Sequence, residues 1–247
     1  MMELKDKVAI VTGAGCGIGR AIALKLAADG AKVVVNDVVS EHAATTIEAI
    51  RTNQGEAIFV QADVSLWEGA RRMVAECIAS YGTVDILVNN AGITRDKLLK
   101  DMEEEDWDRV LNINLKGAFN CCKFAVPYMV EKNYGKIVNL SSRAHLGNPG
   151  QANYSSSKAG IVGLTRSLAL ELGRYNVNVN AVAPGMVDTE GVRNHPKYEM
   201  VVERALKVTP LRRLGQPADI ANLIHFLVTD GSGYITGELI HITGGRY

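Results

Sequence analysis

The chain has 247 residues, 47% of them hydrophobic and 22% charged, which is ordinary for a globular protein and long enough for one large α/β domain. Its 27 basic and 27 acidic side chains give a formal net charge of zero. A net positive charge that would attract nucleic acid or an anionic membrane is therefore excluded. No apolar stretch reaches the roughly 20 residues of a membrane-spanning helix, and the chain starts without a signal-peptide core, so we expect a cytoplasmic protein.

Short β-branched runs alternate with helical patterns along the chain. The runs predict seven strands, at 7–13, 31–37, 56–63, 84–92, 135–142, 177–185 and 239–245, and helical periodicity lies at 19–29, 40–53, 66–80, 103–131, 153–174 and 216–229. This alternation predicts one domain over residues 1–247, a doubly wound (Rossmann) parallel sheet with helices on both faces. The stretch 187–210 has weak periodicity and follows a Pro-Gly pair, so we expect an excursion that serves as a substrate lid.

The first predicted strand runs into a glycine-rich turn. Its pattern is T-G-x-x-x-G-x-G, formed by Thr12, Gly13, Gly17 and Gly19, rather than the general G-x-G-x-x-G. Free backbone N–H groups at the start of a helix favour an anion, and small residues let a pyrophosphate approach the backbone. The position of this turn between a strand and a helix therefore predicts a dinucleotide site.

An acid at the end of the second strand bears on the choice of dinucleotide. Asp37 follows Gly19 by 18 residues, where a carboxylate accepts hydrogen bonds from the adenosine ribose and repels a 2′-phosphate. A surface aspartate that starts a turn is the alternative interpretation. Before Gly17 the loop carries Cys16 instead of a cation, and Arg20 lies after the loop, on the helix. We predict NAD(H), with NADP(H) the less favoured cofactor.

The cysteines and histidines give no indication of a metal site. His145 and His195 have no partners at ligand spacing, so we expect them at a cleft wall or on the surface. None of the four cysteines is paired at zinc-ligand spacing, and we predict that all are buried, reduced thiols: Cys16, Cys77, Cys121 and Cys122.

These motifs resemble the short-chain dehydrogenase/reductase family over nearly the whole chain. The likeness runs through TGAGCGIG, Asp63, NNAG at 89–92, Asn114, the serine pair at 141–142, YSSSK at 154–158, PG at 184–185 and YITGELIHITGG at 234–245. Longer strings such as NAGITRDKLL and GNPGQANYSSSKAG are similar to the 3-oxoacyl-[acyl-carrier-protein] reductases. The resemblance implies an oxidoreductase that interconverts a carbonyl and a secondary alcohol by hydride transfer, acting as a 3-oxoacyl thioester reductase or 3-hydroxyacyl dehydrogenase.

Two other functions stay open at this point. One is a dehydrogenase of a simple secondary alcohol, sugar or sterol, because the fold does not determine the substrate. The other is a scaffold that senses NAD without turnover. Loss of Tyr154 or Lys158 would indicate such a scaffold, and the sequence keeps both.

Tyr154 and Lys158 are the expected centre of the chemistry. At i and i+4 they share one helix face, so both can reach one site. A free tyrosine has a pKa of about 10 and is a poor base near neutral pH. We expect the lysine cation to lower this pKa and make Tyr154 a usable acid/base. The resemblance implies that Lys158 also binds the nicotinamide ribose and that Asn114 holds a water in a proton relay.

Two serines compete for the role of holding the substrate oxygen. Counting back from Tyr154 by the family's commonest spacing reaches Ser141. Aligning forward from the strand reaches Ser142, with one residue missing from the loop that follows. We favour Ser142, because strand register fixes a position more tightly than loop length does.

The resemblance also implies which residues line the cofactor and how the chain assembles. It implies a homotetramer built partly from the helices at 103–131 and 153–174. The implied cofactor-binding residues are Gly13, Cys16, Gly17, Ile18, Gly19, Asp37, Asp63, Val64, Asn90, Ala91, Gly92, Tyr154, Lys158, Pro184, Gly185, Val187 and Thr189.

The partner of the similar reductases, acyl carrier protein, is strongly acidic, and those enzymes present arginines near the active-site mouth. The corresponding positions are Asn133 and Tyr175, neither of them basic, with Lys132, Lys136 and Arg174 beside them. We therefore expect a thioester on coenzyme A, or a smaller ketone or secondary alcohol, to be used at least as well as a carrier-protein thioester. A carrier-protein reductase that relies on the neighbouring cations is the alternative.

Overall fold

The apolar runs pair with one another to form a seven-stranded parallel sheet. The computed structural model describes residues 2–194 and 196–246, so that His195 lies outside the described residues. The strands are β1 (Val8–Thr12), β2 (Lys32–Asp37), β3 (Ala57–Gln61), β4 (Ile86–Asn89), β5 (Gly135–Leu140), β6 (Val177–Pro184) and β7 (Leu239–Ile242), and their order in the sheet is β3-β2-β1-β4-β5-β6-β7. This confirms the predicted doubly wound α/β fold.

Helices cover both faces of this sheet. They are α1 (Gly17–Ala28), α2 (Ser40–Thr52), α3 (Trp67–Tyr81), α4 (Glu104–Leu111), α5 (Gly117–Lys132), α6 (Ala152–Leu172), α7 (Glu190–Arg193), α8 (Tyr198–Val208) and α9 (Pro217–Val228). Within the described residues, none of them is both long enough and apolar enough to cross a membrane.

The alternation of side chains along β1 shows why the runs are apolar throughout. All five residues of β1 are buried, because successive side chains point to opposite faces and both faces are covered. Ala9 and Val11 belong to the core on the side of α1 and α9. Val8 and Ile10 belong to the core on the side of α3 and α5.

The order of the strands places a crevice at the carboxyl ends of β1 and β4. The chain moves outward from β1 through β2 to β3, and then returns to the other side of β1 to form β4. Ligands of open α/β sheets bind at such a reversal. The glycine-rich turn after β1 and the NNAG motif after β4 both lie at this crevice.

The structure differs from the sequence prediction in two helical regions. The helix expected over 103–131 is interrupted by a π-helical turn, Asn112–Lys116, and such turns are frequent at functional sites. The stretch 187–210 contains two helices, α7 and α8. In α8 the one buried residue among those described is Ala205, which explains why its periodicity is weak in the sequence.

The cysteines agree with the prediction except at one position. Cys77, Cys121 and Cys122 are buried free thiols, whereas Cys16 is a free thiol that is exposed. The prediction was wrong for Cys16 because this residue lies in the open turn just before α1 and not inside an element.

Candidate active site

The glycine-rich turn forms a cradle that an anion can approach. Gly13 and Gly17 have φ angles of 61° and 52°, a left-handed conformation that glycine adopts without strain. A Cβ on Gly19 would lie 2.1 Å from the carbonyl oxygen of Gly13, so the helix starts tightly against the strand end. The Cys16 side chain, within the described chain, makes no capping hydrogen bond to α1. The first N–H groups of α1 are therefore available to a pyrophosphate, as sequence analysis predicted for a dinucleotide.

Asp37 is held next to this turn by two backbone hydrogen bonds. Its Oδ2 accepts the N–H of Gly15 at 2.9 Å, and its Oδ1 accepts the N–H of Val39 at 3.0 Å. An ionised carboxylate has about four acceptor sites, so each oxygen keeps one for a hydroxyl group. The residue therefore fits the adenosine ribose of a dinucleotide.

The cation nearest to the turn is directed away from Asp37. Arg20 donates from Nε and Nη2 to the carbonyl oxygen of Gly15 at 3.0 and 2.7 Å, and its Nη1 lies 3.8 Å from a carboxylate oxygen of Glu190. Partial burial, followed by the charges of Asp37 and Glu190, raises the pKa of the Cys16 thiol. Both carboxylates, Asp37 and Glu190, therefore lie close enough to the turn for their charges to act on it.

The loop after β4 is fixed to the glycine-rich turn by one hydroxyl and one amide. The Thr12 hydroxyl accepts the N–H groups of Asn90 and Ala91, each at 3.0 Å. The Asn90 side chain donates to the carbonyl oxygens of Thr12 and Gly13 at 2.9 and 3.0 Å. The two sides of the crevice are thus joined before any ligand binds.

The loop after β3 borders the same crevice. Asp63 Oδ1 accepts hydrogen bonds from the backbone N–H and the hydroxyl of Ser65 at 2.9 and 2.7 Å. Val64 is buried, and its carbonyl oxygen accepts a hydrogen bond from the Asn120 side chain at 3.0 Å. Asp63 and Val64, both predicted to bind the cofactor, therefore lie in a turn that is held by hydrogen bonds.

The two serines after β5 point in different directions. Ser141 is buried, and its hydroxyl donates to the backbone carbonyl of Lys158 at 2.8 Å. Ser142 accepts the N–H of Ala144 at 3.1 Å, and its side chain acts on the Tyr154 phenol, whose pKa it lowers against the effect of burial. The structure thus brings Ser142, rather than Ser141, to the tyrosine.

Tyr154 and Lys158 lie one turn apart near the start of α6, but they influence each other less than expected. The Lys158 Nζ lies 5.6 Å from the Tyr154 ring centroid and donates to the Leu140 carbonyl at 2.7 Å. Burial lowers the pKa of Lys158 to about 8. Burial also raises the pKa of Tyr154, and the hydrogen bond from Ser142 opposes this rise. The expected lowering of the Tyr154 pKa by the lysine is therefore not found: desolvation of the phenol is the larger effect.

Asn114 links the loop after β4 to α6 from within the π-helical turn. Its Oδ1 accepts the N–H of Ile93 at 2.8 Å, and its Nδ2 donates to the Ile93 carbonyl at 3.0 Å and to the Ser157 hydroxyl at 3.1 Å. A Cβ on Gly92 would lie 3.2 Å from Asn114 Oδ1 and 3.5 Å from Lys158 Nζ. Asn114, Gly92 and Lys158 therefore meet at one point of the crevice.

The segment after β6 closes the remaining side. Gly185 lies against Thr243, where a Cβ would be 3.0 Å from the Thr243 Cα, and Val187 pairs with Gly215. Thr189 begins α7, and its Cγ2 would lie 3.4 Å from a Cβ on Gly17. This segment, which contains the predicted cofactor-binding residues Pro184, Gly185, Val187 and Thr189, thus extends from the sheet edge to the glycine-rich turn.

Asn153, which the sequence analysis did not select, supports the tyrosine. It is fully buried, and its Oδ1 accepts the N–H of Tyr154 at 2.7 Å. Its Nδ2 donates to the carbonyl oxygens of Arg95 and Asp106 at 3.1 and 3.0 Å. Asn153 is the second residue of α6, whose N-cap position is Gln151, so no capping pattern in the sequence indicates this role.

The two positions compared with carrier-protein arginines lie far from this site within one chain. Asn133 and Tyr175 precede β5 and β6, whereas Ser142 and Gly185 follow these strands; a six-residue strand spans about 20 Å. Lys132 forms an ion pair with buried Asp85 at 2.5 Å. The expectation that these positions border the mouth of their own active site is therefore wrong.

A possible metal-ligand group, Glu3, Asp29 and His225, lies apart from the crevice. Asp29 caps the carboxyl end of α1, and its Oδ2 is 2.8 Å from Nε2 of His225 on α9. This contact joins α1 to α9.

Comparison with known proteins gives matches that span the chain. Residues 13–246 match a family model described as enoyl-(acyl carrier protein) reductase. The chain is similar to the 3-oxoacyl-[acyl-carrier-protein] reductase FabG of Staphylococcus aureus, with 46% identity over 246 residues that cover 98% of each chain. It is also similar to the (2S)-[(R)-hydroxy(phenyl)methyl]succinyl-CoA dehydrogenase subunit BbsD of Thauera aromatica, with 41% identity over 249 residues that cover 99% of this chain and 98% of the relative.

A solved structure shows the same architecture. The crystal structure of levodione reductase superposes with a TM-score of 0.94 at 33% identity, covering 98% of this chain and 97% of the other.

Proposed function

The chain belongs to the short-chain dehydrogenase/reductase family and is an NAD(P)-dependent oxidoreductase acting on CH–OH groups, and from this premise we propose that it interconverts a 3-oxoacyl thioester and the 3-hydroxyacyl thioester. The observation that carries the proposal is the placement of Ser142, Tyr154 and Lys158 at one edge of the sheet: the buried Lys158 Nζ lies 5.6 Å from the Tyr154 ring centroid and donates to the carbonyl of Leu140, two residues before Ser142. A hydroxyl pair at the carboxyl edge of the sheet can hold one carbonyl oxygen and transfer one proton to it.

The proposed reaction consists of two transfers, that of a hydride and that of a proton. When bound, the nicotinamide supplies or accepts the hydride. The Tyr154 hydroxyl donates its proton to the carbonyl oxygen during reduction and removes the proton from the alcohol during oxidation. Ser142 holds that oxygen by a hydrogen bond, and the same hydroxyl opposes the rise that burial causes in the Tyr154 pKa. Asn114 joins the loop after β4 to α6 through its bonds to Ile93 and Ser157.

We propose NAD(H) as the preferred cofactor. The glycine-rich turn supplies N–H groups for the pyrophosphate, and Asp37 keeps acceptor capacity for the ribose hydroxyls. A 2′-phosphate would meet the Asp37 charge, and Arg20 is already engaged with Gly15 and Glu190. Like charges at this position therefore disfavour NADP(H).

Two relatives support a thioester substrate. One is named for a 3-oxoacyl group on acyl carrier protein and the other for an acyl group on coenzyme A. The apolar surface of α8 is consistent with an acyl chain, because Met200 and Val208 are 49% and 46% exposed. We propose that the segment 187–210 closes over the substrate as a lid. A simple secondary alcohol, sugar or sterol is the second candidate, because a lid with apolar residues would also cover such a molecule.

The acyl group of the substrate can be carried either by coenzyme A or by acyl carrier protein. We propose that coenzyme A thioesters are used at least as well as carrier-protein thioesters, because the positions compared with the carrier-protein arginines hold Asn133 and Tyr175. Within one chain Asn133 and Tyr175 lie at the end of the sheet opposite to Ser142, so in an assembly they would have to border the active site of a partner subunit.

The test compares acetoacetyl groups on acyl carrier protein and on coenzyme A at matched concentrations, with NADH absorbance as the readout. We expect turnover of both, with coenzyme A at least equal. A strong carrier-protein advantage that disappears at high salt would contradict the coenzyme A proposal. Absence of turnover on either thioester, together with turnover of a simple ketone, would favour the second candidate.

We further propose a cytoplasmic homotetramer. The helices α5 and α6 expose apolar side chains, with Phe119 45% and Leu170 88% exposed, and the four cysteines are free thiols. Light scattering on the purified protein tests the assembly. A mass near that of a single 26.6 kDa chain would contradict it.

A further inference from the structure

Two partly buried arginines near the site have no acidic partner among the described residues to balance their charge. In the part of the chain that the structure describes, four arginines are partly buried: Arg20, Arg95, Arg143 and Arg246. Arg20 lies 3.8 Å from Glu190, and Arg95 lies 3.3 Å from Asp106. Over residues 2–194 and 196–246, Arg143 and Arg246 have no ion pair with an acid.

These two arginines lie next to the reacting groups. Arg143 is the residue after Ser142 and begins the short helical turn Arg143–Leu146. Arg246 follows β7, whose carboxyl end lies beside that of β6. Two histidines bridge the segments: His145 Nδ1 is 2.7 Å from the Ser142 carbonyl oxygen, and the rings of His145 and His241 have centroids 5.1 Å apart.

The segments that carry Arg143 and Arg246 meet at the His145–His241 ring contact, and the charge of one arginine acts on the other. Burial and the neighbouring charge of Arg143 lower the pKa of Arg246. Asp96, the acid whose charge acts on Tyr154, accepts a hydrogen bond from the Gln151 side chain at 2.8 Å and forms no ion pair with either arginine in the described residues. Two partly desolvated cations of like charge destabilise a fold unless an anion binds between them.

We propose that Arg143 and Arg246 form a binding site for a carboxylate group on the acyl part of the substrate, so that the preferred substrate is a 3-oxo diacid bound as its monothioester. The inference rests on the proposed function. A guanidinium group matches a carboxylate with two parallel hydrogen bonds. A phosphate of coenzyme A is the other anion that such a pair binds. However, Arg143 follows Ser142 directly, which places the anion within a few bonds of the reacting carbonyl and not at the far end of the pantetheine arm.

The kinetic test uses two acyl groups of equal length, 3-oxoadipyl with a free carboxylate and 3-oxohexanoyl without one. Each is prepared as an N-acetylcysteamine thioester, which has no phosphate, and as a coenzyme A thioester. We expect the wild type to favour 3-oxoadipyl in kcat/KM by at least about tenfold, the size of effect expected for one charge-assisted hydrogen bond. Arg143→Gln and Arg246→Gln should each reduce this ratio towards one.

A matched variant controls for the loss of a positive charge. Arg51 is exposed on α2, at the end remote from the crevice, so Arg51→Gln should keep the wild-type ratio. A wild-type ratio near one, or an unchanged ratio in Arg143→Gln, would overturn the proposal. A loss in Arg143→Gln that affects both acyl groups equally, and only as coenzyme A thioesters, would assign the arginines to a phosphate and overturn it as well.

A binding measurement separates this inference from the proposed function. Calorimetric titration of the full chain with glutarate, in the presence of NAD⁺, should show binding to the wild type and at least tenfold weaker binding to Arg143→Gln. Glutaramide, the neutral analogue, should bind to neither. If no thioester is turned over, the proposed function fails, and the glutarate titration alone then decides the carboxylate site. Equal glutarate binding by both proteins, or none by the wild type, refutes the site whatever the turnover.

Discussion

The hydroxyl of Ser141 donates a hydrogen bond to the backbone carbonyl of Lys158 at 2.8 Å. In return, the Lys158 ammonium group donates to the carbonyl of Leu140, one residue before Ser141, at 2.7 Å. The end of β5 is thereby attached to α6 at two points. The Ser141 hydroxyl is thus used in holding β5 to α6, which leaves Ser142 as the serine whose hydroxyl acts on Tyr154.

This arrangement predicts that the two serines respond differently to substitution by alanine. Ser142→Ala should lower kcat/KM by a factor on the order of 100, because the hydroxyl that holds the substrate oxygen is lost. Ser141→Ala should chiefly lower stability, by about 1 kcal/mol for one buried hydrogen bond. Steady-state kinetics and urea unfolding measure the two effects. If Ser141→Ala proves the worse enzyme at equal stability, the spacing counted from Tyr154 is the correct guide and the strand alignment is wrong.

Removal of the Tyr154 hydroxyl should separate cofactor binding from turnover. Tyr154→Phe is expected to lose a factor of roughly 10²–10⁴ in kcat, the usual contribution of a positioned proton donor, while its affinity for NADH changes little. Fluorescence titration with NADH and initial rates provide the two readouts. Tyr128→Phe, on the exposed surface of α5, is the matched control and should behave as the wild type. Retention of most of the turnover in Tyr154→Phe would exclude the tyrosine as the proton donor.

The buried ammonium group of Lys158 should make stability depend on pH. Its pKa is about 8 in the folded protein and 10.5 when exposed. Below pH 8 both states are protonated, and the folded state bears the full cost of a buried charge. Between pH 8 and 10.5 the folded state has lost its proton and the unfolded state keeps it, so the free energy of unfolding rises with pH.

Lys158→Met lacks this titration. From pH 7 to pH 10 the free energy of unfolding of the wild type should therefore rise relative to that of the variant, by about 2 kcal/mol. Urea midpoints for both proteins at the two pH values measure this difference. Parallel behaviour of the two proteins would show that the lysine is not desolvated as the structure indicates.

Asp37 should control the choice between NADH and NADPH. Like-charge repulsion predicts an NADH preference of about tenfold or more in kcat/KM, which corresponds to about 1.4 kcal/mol. Asp37→Asn keeps one acceptor oxygen, for the N–H of either Gly15 or Val39, and removes the charge, so the preference should fall. Asp101→Asn, at an exposed position far along the chain, is the control. Equal use of both cofactors by the wild type, or an unchanged preference in Asp37→Asn, would disprove the assignment.

The sequence by itself determined the features that short windows of chain encode. The apolar runs specified strands covered on both faces, the glycines after β1 specified a turn that only small residues can form, and the i, i+4 spacing placed Tyr154 and Lys158 on one helix face. Each of these depends on neighbours in the chain, so local stereochemistry and burial fix it.

The tertiary structure alone decided which distant groups meet. The direction of Ser142, the raised pKa of Tyr154 and the proximity of Arg143 to Arg246 depend on strand order and on how far each group is removed from water. Likewise, Asn133 and Ser142 lie close in sequence but at opposite ends of β5. These distances cannot be predicted from any short stretch of sequence, because they arise when segments separated by many residues pack against one sheet.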